Sequence, residues 1–169
     1  MNIIKKEKLT IEQLAELSYY FAKKFGLEYV KHELSKENTP FKQVDKNIFA
    51  HERLIMIFWI LDRMVSDKDR KLMSAIHKMY FEDIGILNKP DEMKKEISFI
   101  MDRYKEYYDA WDDNASSEQW ILGGAIGKNI FQKDKILLNA DISFLIIMDV
   151  LQLMKQIKES IIDKYEISN

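Results

Sequence analysis

The sequence predicts an all-α fold, a compact single-domain bundle of six or seven helices spanning residues 1–169, with a buried central helix near 45–64. Three observations carry this. Only two prolines and five glycines punctuate 169 residues that are otherwise rich in Lys, Glu, Leu, Ile and Met, the residues that lose least on entering a helix. No stretch of alternating apolar and polar residues is bounded by hairpin turn residues, so no sheet is expected. The run Leu54-Ile-Met-Ile-Phe-Trp-Ile-Leu61 is apolar on every face. A helix of that kind must be surrounded by others.

The elements follow in order. Thr10, with Gln13 three residues on, is a capping box for a first helix whose stripe is Ile11, Leu14, Leu17, Phe21 and Phe25. Gly26 reads as its C′ stop. A shorter second helix carries Leu27, Val30 and Leu34 and ends before Asn38-Thr39-Pro40, with a loop over 35–44. The central helix runs from about Asp45 to Met64. Ser66, with Asp69 three residues later, opens a helix that ends near Gly85. Pro90 suits the first turn of the next helix, about Lys89 to Asp112, with Ile97, Ile100, Met101, Tyr104, Tyr108 and Trp111 as its stripe. Ser116 and Gln119 open the helix that contains Gly123, Gly124 and Gly127. The last helix is expected from about Asn139 to Tyr165, with Phe144, Ile147, Leu151, Met154, Ile161 and Tyr165 along one side.

Composition narrows function. Lys and Arg number 26 against 28 Asp and Glu, a formal net charge of −2, whereas a dedicated nucleic-acid binder shows a basic excess. There is no cysteine, which removes disulfides, thiolate metal sites and cysteine nucleophiles. Lys5, Lys6 and Lys8 are not followed by an apolar h-region, and Leu54–Leu61 is far short of the ~20 apolar residues that span a bilayer. The expectation is a cytoplasmic protein with no transmembrane segment.

The stretch Trp120–Phe131, WILGGAIGKNIF, invites a phosphate-loop reading. A Walker A loop places four residues between its glycines and ends in Lys-Ser/Thr after a strand. Here Gly123 and Gly127 enclose three residues, and Asn129 stands in the Ser/Thr place. The mechanical reading is stronger: the three glycines share one helix face, and a face without side chains lets another backbone approach.

His32, His51 and His77 are the only histidines, and neither His-Glu-x-x-His nor Glu-x-x-His occurs. His51 falls in register with Val44, Ile48, Ile55 and Phe58, so it should face inward as a hydrogen-bonded core residue or, less commonly, a ligand. Asp62 and Asp149 interrupt apolar helices, and a buried carboxylate must be paired or neutral. Arg53, Arg63 and Arg103 are available partners. The bland reading is structural ion pairs; the sharp one is a polar site lined by Asp62, Asp149, His51 and an arginine. Tyr104, Tyr107, Tyr108 and Trp111 have helical spacing, which suits core packing or, alternatively, a ligand pocket or partner surface. Asp109, Asp112, Asp113 and Glu118 form an acidic run that is either solvated or receives a basic partner.

Met93–Asp113, MKKEISFIMDRYKEYYDAWDD, followed by WILGGAIGKNIF, resembles a pattern in the ubiquinol–cytochrome c chaperone family. The places that match are Tyr108-Asp109 and Lys128-Asn129-Ile130-Phe131, with IHKMYFEDIG, Ile76–Gly85, similar in character to the preceding helix. The resemblance covers about 75–131, and Lys128 stands where arginine is usual. It implies an all-helical protein that assists assembly of a respiratory complex by binding another protein, with no catalytic residues.

The sequence therefore favours a non-catalytic helical interaction module (adaptor, assembly factor or antagonist) with another protein as partner, no cofactor, and oligomerisation left open. Its alternative is a small-ligand-binding protein or unusual enzyme with an interhelical site near His51, Asp62, Tyr104 and Trp111.

Overall fold

A computed structural model describes residues 6–65, 70–111, 120–133 and 140–168. A short strand β1 (Glu7–Leu9) leads into helices α1 (Ile11–Ser35), α2 (Lys46–Met64), α3 (Arg70–Asp83), α4 (Pro90–Ala110), α5 (Trp120–Phe131) and α6 (Ala140–Ile157). A π-helical turn over Lys158–Ile162 ends α6, and strand β2 (Tyr165–Ile167) follows. The all-α reading holds, with one small addition. β1 and β2 pair in parallel, Glu7 opposite Tyr165 and Leu9 opposite Ile167. Three-residue strands are too short to show an alternation, so no pattern announces them, and Tyr165 belongs to β2 instead of the last helix.

The capping box forms as expected: Thr10 Oγ1 accepts from the Gln13 amide at 3.2 Å, and Gln13 Oε1 accepts from the Thr10 amide at 3.0 Å. Gly26, in contrast, does not stop α1. The helix continues to Ser35 because its buried stripe runs without a break through Leu14, Ser18, Ala22, Gly26, Val30 and Glu33. Burial of Val30 and its neighbours outweighs the ~1 kcal/mol that a mid-helix glycine costs. The loop expected over 35–44 is a set of turns, anchored by Phe41, which is buried and stacked on Phe49 and Phe131.

Asp45 caps α2, accepting from the amides of Asn47 and Ile48 at 2.8 and 3.0 Å. Every residue from Ile55 to Leu61 is buried, and α2 packs against α1, α3, α4, α5 and α6, so it is the central element. The Ser66 cap and the helix start at Ser116 lie outside the described residues. Gly85 ends α3 in the left-handed region, φ +73°, with Ile86 N–H bonded to Phe81 O at 2.9 Å and Gly85 N–H to Glu82 O at 3.0 Å. That is a Schellman closure, which favours glycine at the left-handed position. Pro90 occupies the first turn of α4 as predicted.

Two helix faces differ from their expected stripes. In α4 the buried residues are Ile100, Tyr104 and Tyr107, whereas Ile97, Met101 and Tyr108 are exposed. The helix is turned by its polar residues: Glu96, Arg103 and Glu106 face inward to meet partners on α2 and α5. In α6 the buried set is Ser143, Ile146, Ile147, Val150, Leu153 and Ile157, while Phe144 and Leu151 point outward. Here an ion pair from Asp149 to α2 and a close approach at Ser143 to α5 fix the rotation.

The glycine stretch is helix α5, and its role is packing. A Cβ built on Gly123 would sit against the Ser143 carbonyl, 2.9 Å from its carbon, and 3.0 Å from Ile147 Cγ1. Gly127 is buried on the same side. The helix backbones touch where a side chain would hold them apart.

Candidate functional site

Three consecutive residues of α2 send polar groups in three directions, because each step along a helix turns about 100°. His51 Nε2 meets Glu96 Oε1 of α4 at 2.7 Å, and Tyr80 OH of α3 donates to the same oxygen at 2.8 Å. The His51 ring also stacks on Phe99, with centroids 5.1 Å apart. Glu52, 1% exposed, receives Arg103 through three contacts of 2.9–3.1 Å, and Tyr107 OH lies 3.4 Å away. Arg53, 4% exposed, makes a two-point ion pair with Asp149 of α6, and its guanidinium lies 3.4 Å from the centre of the Tyr29 ring.

The Glu52 cluster extends to α5. Asn129, buried, donates to Glu106 Oε2 at 2.9 Å and stands 3.5 Å from Tyr107 OH. Glu106 also faces Arg103 and Lys128, each at 3.6 Å. A separate group forms further along α2. Asp62 accepts from Tyr108 OH at 2.7 Å, and His77 Nε2 is 3.0 Å from Tyr104 OH. Trp111 packs edge-on to Trp59 and under the Arg63 guanidinium, 4.7 Å from its ring centre.

The four-residue site near His51, Asp62, Tyr104 and Trp111 is thus split. Asp62 and Tyr104 are close enough for the carboxylate charge to act on the phenol, and Trp111 lies nearby over Trp59. His51 is eleven residues from Asp62 on one helix, about 16 Å along its axis. His77 takes the place beside Tyr104. The combination of Asp62, Asp149, His51 and an arginine is likewise divided, with Arg53 joining only Asp149 and Arg103 joining Glu52. Asp109 is exposed, and Asp112 lies outside the described residues. Tyr107, for which the sequence leaves core packing and a partner surface both open, is fully buried, and its hydroxyl closes the Glu52–Asn129 cluster.

Sequence reasoning missed Glu52, Tyr80, Glu96 and Glu106 as members of these clusters. The usable signal was His51-Glu52-Arg53 itself, three polar residues directly before an all-apolar run in the central helix, where none can avoid a neighbour.

Burial pushes the His77 imidazole below its ordinary pKa, against a partial upward pull from the Asp62 charge. Burial raises the Tyr80 phenol, and the bond to Glu96 raises it further. Burial would also raise Glu96, but hydrogen bonds from His51 and Tyr80 and the nearby His51 charge outweigh it and hold the carboxyl low. Among the described residues, no group of three His, Asp or Glu side chains could hold a metal ion.

Two clefts flank His51. One, of about 190 Å³, is mostly apolar and includes Leu27, Leu54, Tyr80 and the Tyr19–Asp83–Lys23 cluster. The other, about 530 Å³, is lined by Ile48, Glu92, Lys95, Glu96, Phe99 and Gln132 among others. Large apolar side chains face outward elsewhere: Phe144, Leu145, Met148 and Leu151 on α6, and Trp120 and Ile121 at the start of α5. Phe144 and Trp120 are more than 60% exposed, well beyond the edge exposure of a core residue.

No described helix is long and apolar enough to cross a membrane. No protein-family model, curated protein or solved structure matches the chain.

Proposed function

We propose that this chain is a non-catalytic helical interaction module, an adaptor, assembly factor or antagonist, that works in the cytoplasm by binding another protein. One observation carries the reading. The buried Arg53–Asp149 and Arg103–Glu52 ion pairs neutralise their own charges, while α6 turns Phe144, Leu145, Met148 and Leu151 outward. Paired groups of this kind hold helices in register. An outward apolar stripe with polar residues beside it has the make-up of an interface core and rim.

The family resemblance points the same way, since it implies an assembly factor. Its two motif places fall on α4 and α5, helices that pack together through Asn129 and Glu106. The exposed Asp109 offers a carboxylate to a basic partner.

Pull-down from source-cell extract tests the proposal, comparing the parent with Phe144→Glu, Met148→Glu. A partner retained by the parent and lost in the variant is expected. A second reading, small-ligand binding, has one specific support: the His51–Glu96–Tyr80 group stands between two clefts. If the parent retains no protein while a small molecule copurifies in stoichiometric amount, that reading replaces the first.

A further inference from the structure

We propose that α6 pairs with α6 of a second copy of this chain, antiparallel and centred on Met148. The inference rests on the protein-interaction reading above and names the partner.

The outward face of α6 carries Asp141, Phe144, Leu145, Met148, Leu151, Gln152 and Lys155, all exposed. Their spacing of three and four residues keeps them on one stripe through the whole helix. The stripe has a centre. Asp141 stands seven residues before Met148, and Lys155 stands seven after it. Leu145 and Leu151 are likewise three before and three after. Two such stripes laid antiparallel place Met148 against Met148, Leu145 against Leu151, the Phe144 ring against the Gln152 side chain, and Asp141 against Lys155 at both ends. A two-fold interface requires a surface that is complementary to itself in this manner. A parallel pair would set Asp141 against Asp141 and Lys155 against Lys155. Opposed charges flanking an apolar seam thus select both partner and direction.

Asp141 also has an interaction within its own chain, and Lys155 lies 3.9 Å from Glu159. The Lys155 contact is long and at the surface, where it exchanges readily, and the Asp141 carboxylate can accept from a second donor beside the one it has. A lipid surface suits the stripe less well. Interfacial helices carry a Lys/Arg-rich polar face, whereas here one acid and one base bracket the apolar residues. One helix pair buries less than the ~800 Å² per partner of a standard interface, so the dimer is expected to be weak and concentration-dependent.

Sedimentation of the full chain across a concentration series tests this. The parent is expected to pass from monomer to dimer, and Met148→Glu to stay monomeric with an unchanged helix content and melting temperature. Asp141→Lys and Lys155→Asp should each weaken the dimer about tenfold. The two variants mixed, or the double variant, should recover it, which shows that each single variant is folded. A parent that remains monomeric to its solubility limit overturns the proposal, as does a dimer indifferent to Met148→Glu, or one tightened by Asp141→Lys. Binding of the monomeric parent to phosphatidylglycerol vesicles overturns it in favour of a lipid surface. If the monomeric parent still retains a different protein through Met148, the second copy is the wrong partner and the interaction reading stands. If it retains none, both fail.

Discussion

Gly123→Ala should destabilise this protein, although alanine is the better helix former. The new Cβ would lie 2.9 Å from the Ser143 carbonyl carbon and 3.0 Å from Ile147 Cγ1, and closer still to the Ser143 oxygen. Carbon pairs rest at about 3.5–4.0 Å, so α5 and α6 must part by roughly 0.5–1 Å. Ile147 can rotate, but the Ser143 backbone cannot. Parting the helices loosens Leu122 and Ile126, both fully buried. Overpacking by a methyl group costs about 1–3 kcal/mol, and a backbone contact belongs in the upper part of that range. Helix propensity returns about 1 kcal/mol. The net loss is about 1–2 kcal/mol, a fall of roughly 2–8 °C in melting temperature for a chain of this size. Gly26→Ala is the control. It sits in the middle of α1, and its Cβ would meet only Ile57 Cδ1, at an ordinary 3.6 Å. That change should stabilise by about 0.5–1 kcal/mol. Urea unfolding followed by circular dichroism would measure both. A Gly123→Ala protein as stable as the parent would refute the close-contact argument, whatever the control does.

Two further outcomes follow from the buried charges. Asp149→Ala leaves the Arg53 guanidinium buried without its carboxylate, which should cost about 3–5 kcal/mol in the same unfolding assay; a loss within surface-mutation range, about 0.5 kcal/mol, would show that Asp149 does not compensate Arg53. For His77, burial lowers the folded-state pKa below the ordinary 6.5, so the unfolded chain takes up a proton first as pH falls. Its contribution is therefore intact above pH 6.5 and is lost as pH drops from there toward the folded pKa. His77→Gln, which can still bond Tyr104, should flatten the decline of stability as pH falls below 6.5, and identical slopes in parent and variant would contradict this.

The sequence by itself determined the fold class, the Thr10 and Pro90 helix starts, the Gly85 stop and the central place of α2. Each follows from local chemistry: a cap satisfies amides within its own turn, and eight consecutive apolar residues must be enclosed wherever the chain goes. It also gave the role of Gly123, because glycines on one face of a helix are costly unless something approaches closely. The reading at Gly26 failed for the complementary reason. Local propensity there favours a stop, but the apolar stripe on both sides is buried against α2 and α3, and tertiary burial exceeds a penalty of about 1 kcal/mol.

What only the tertiary structure decided is the rotation of α4 and α6 and the pairing of charges. Both helices have apolar residues on more than half their circumference, so periodicity admits more than one buried face. The choice in α4 is made by Glu96, Arg103 and Glu106 meeting His51, Glu52 and Asn129, and in α6 by Asp149 meeting Arg53. These partners lie far apart in the chain, and an unpaired charge in the interior costs several kcal/mol, more than the difference between two apolar faces. The same rotation turns Phe144 and Met148 outward. The candidate interface is therefore a consequence of one ion pair made on another side of the helix, which no local pattern in the sequence records.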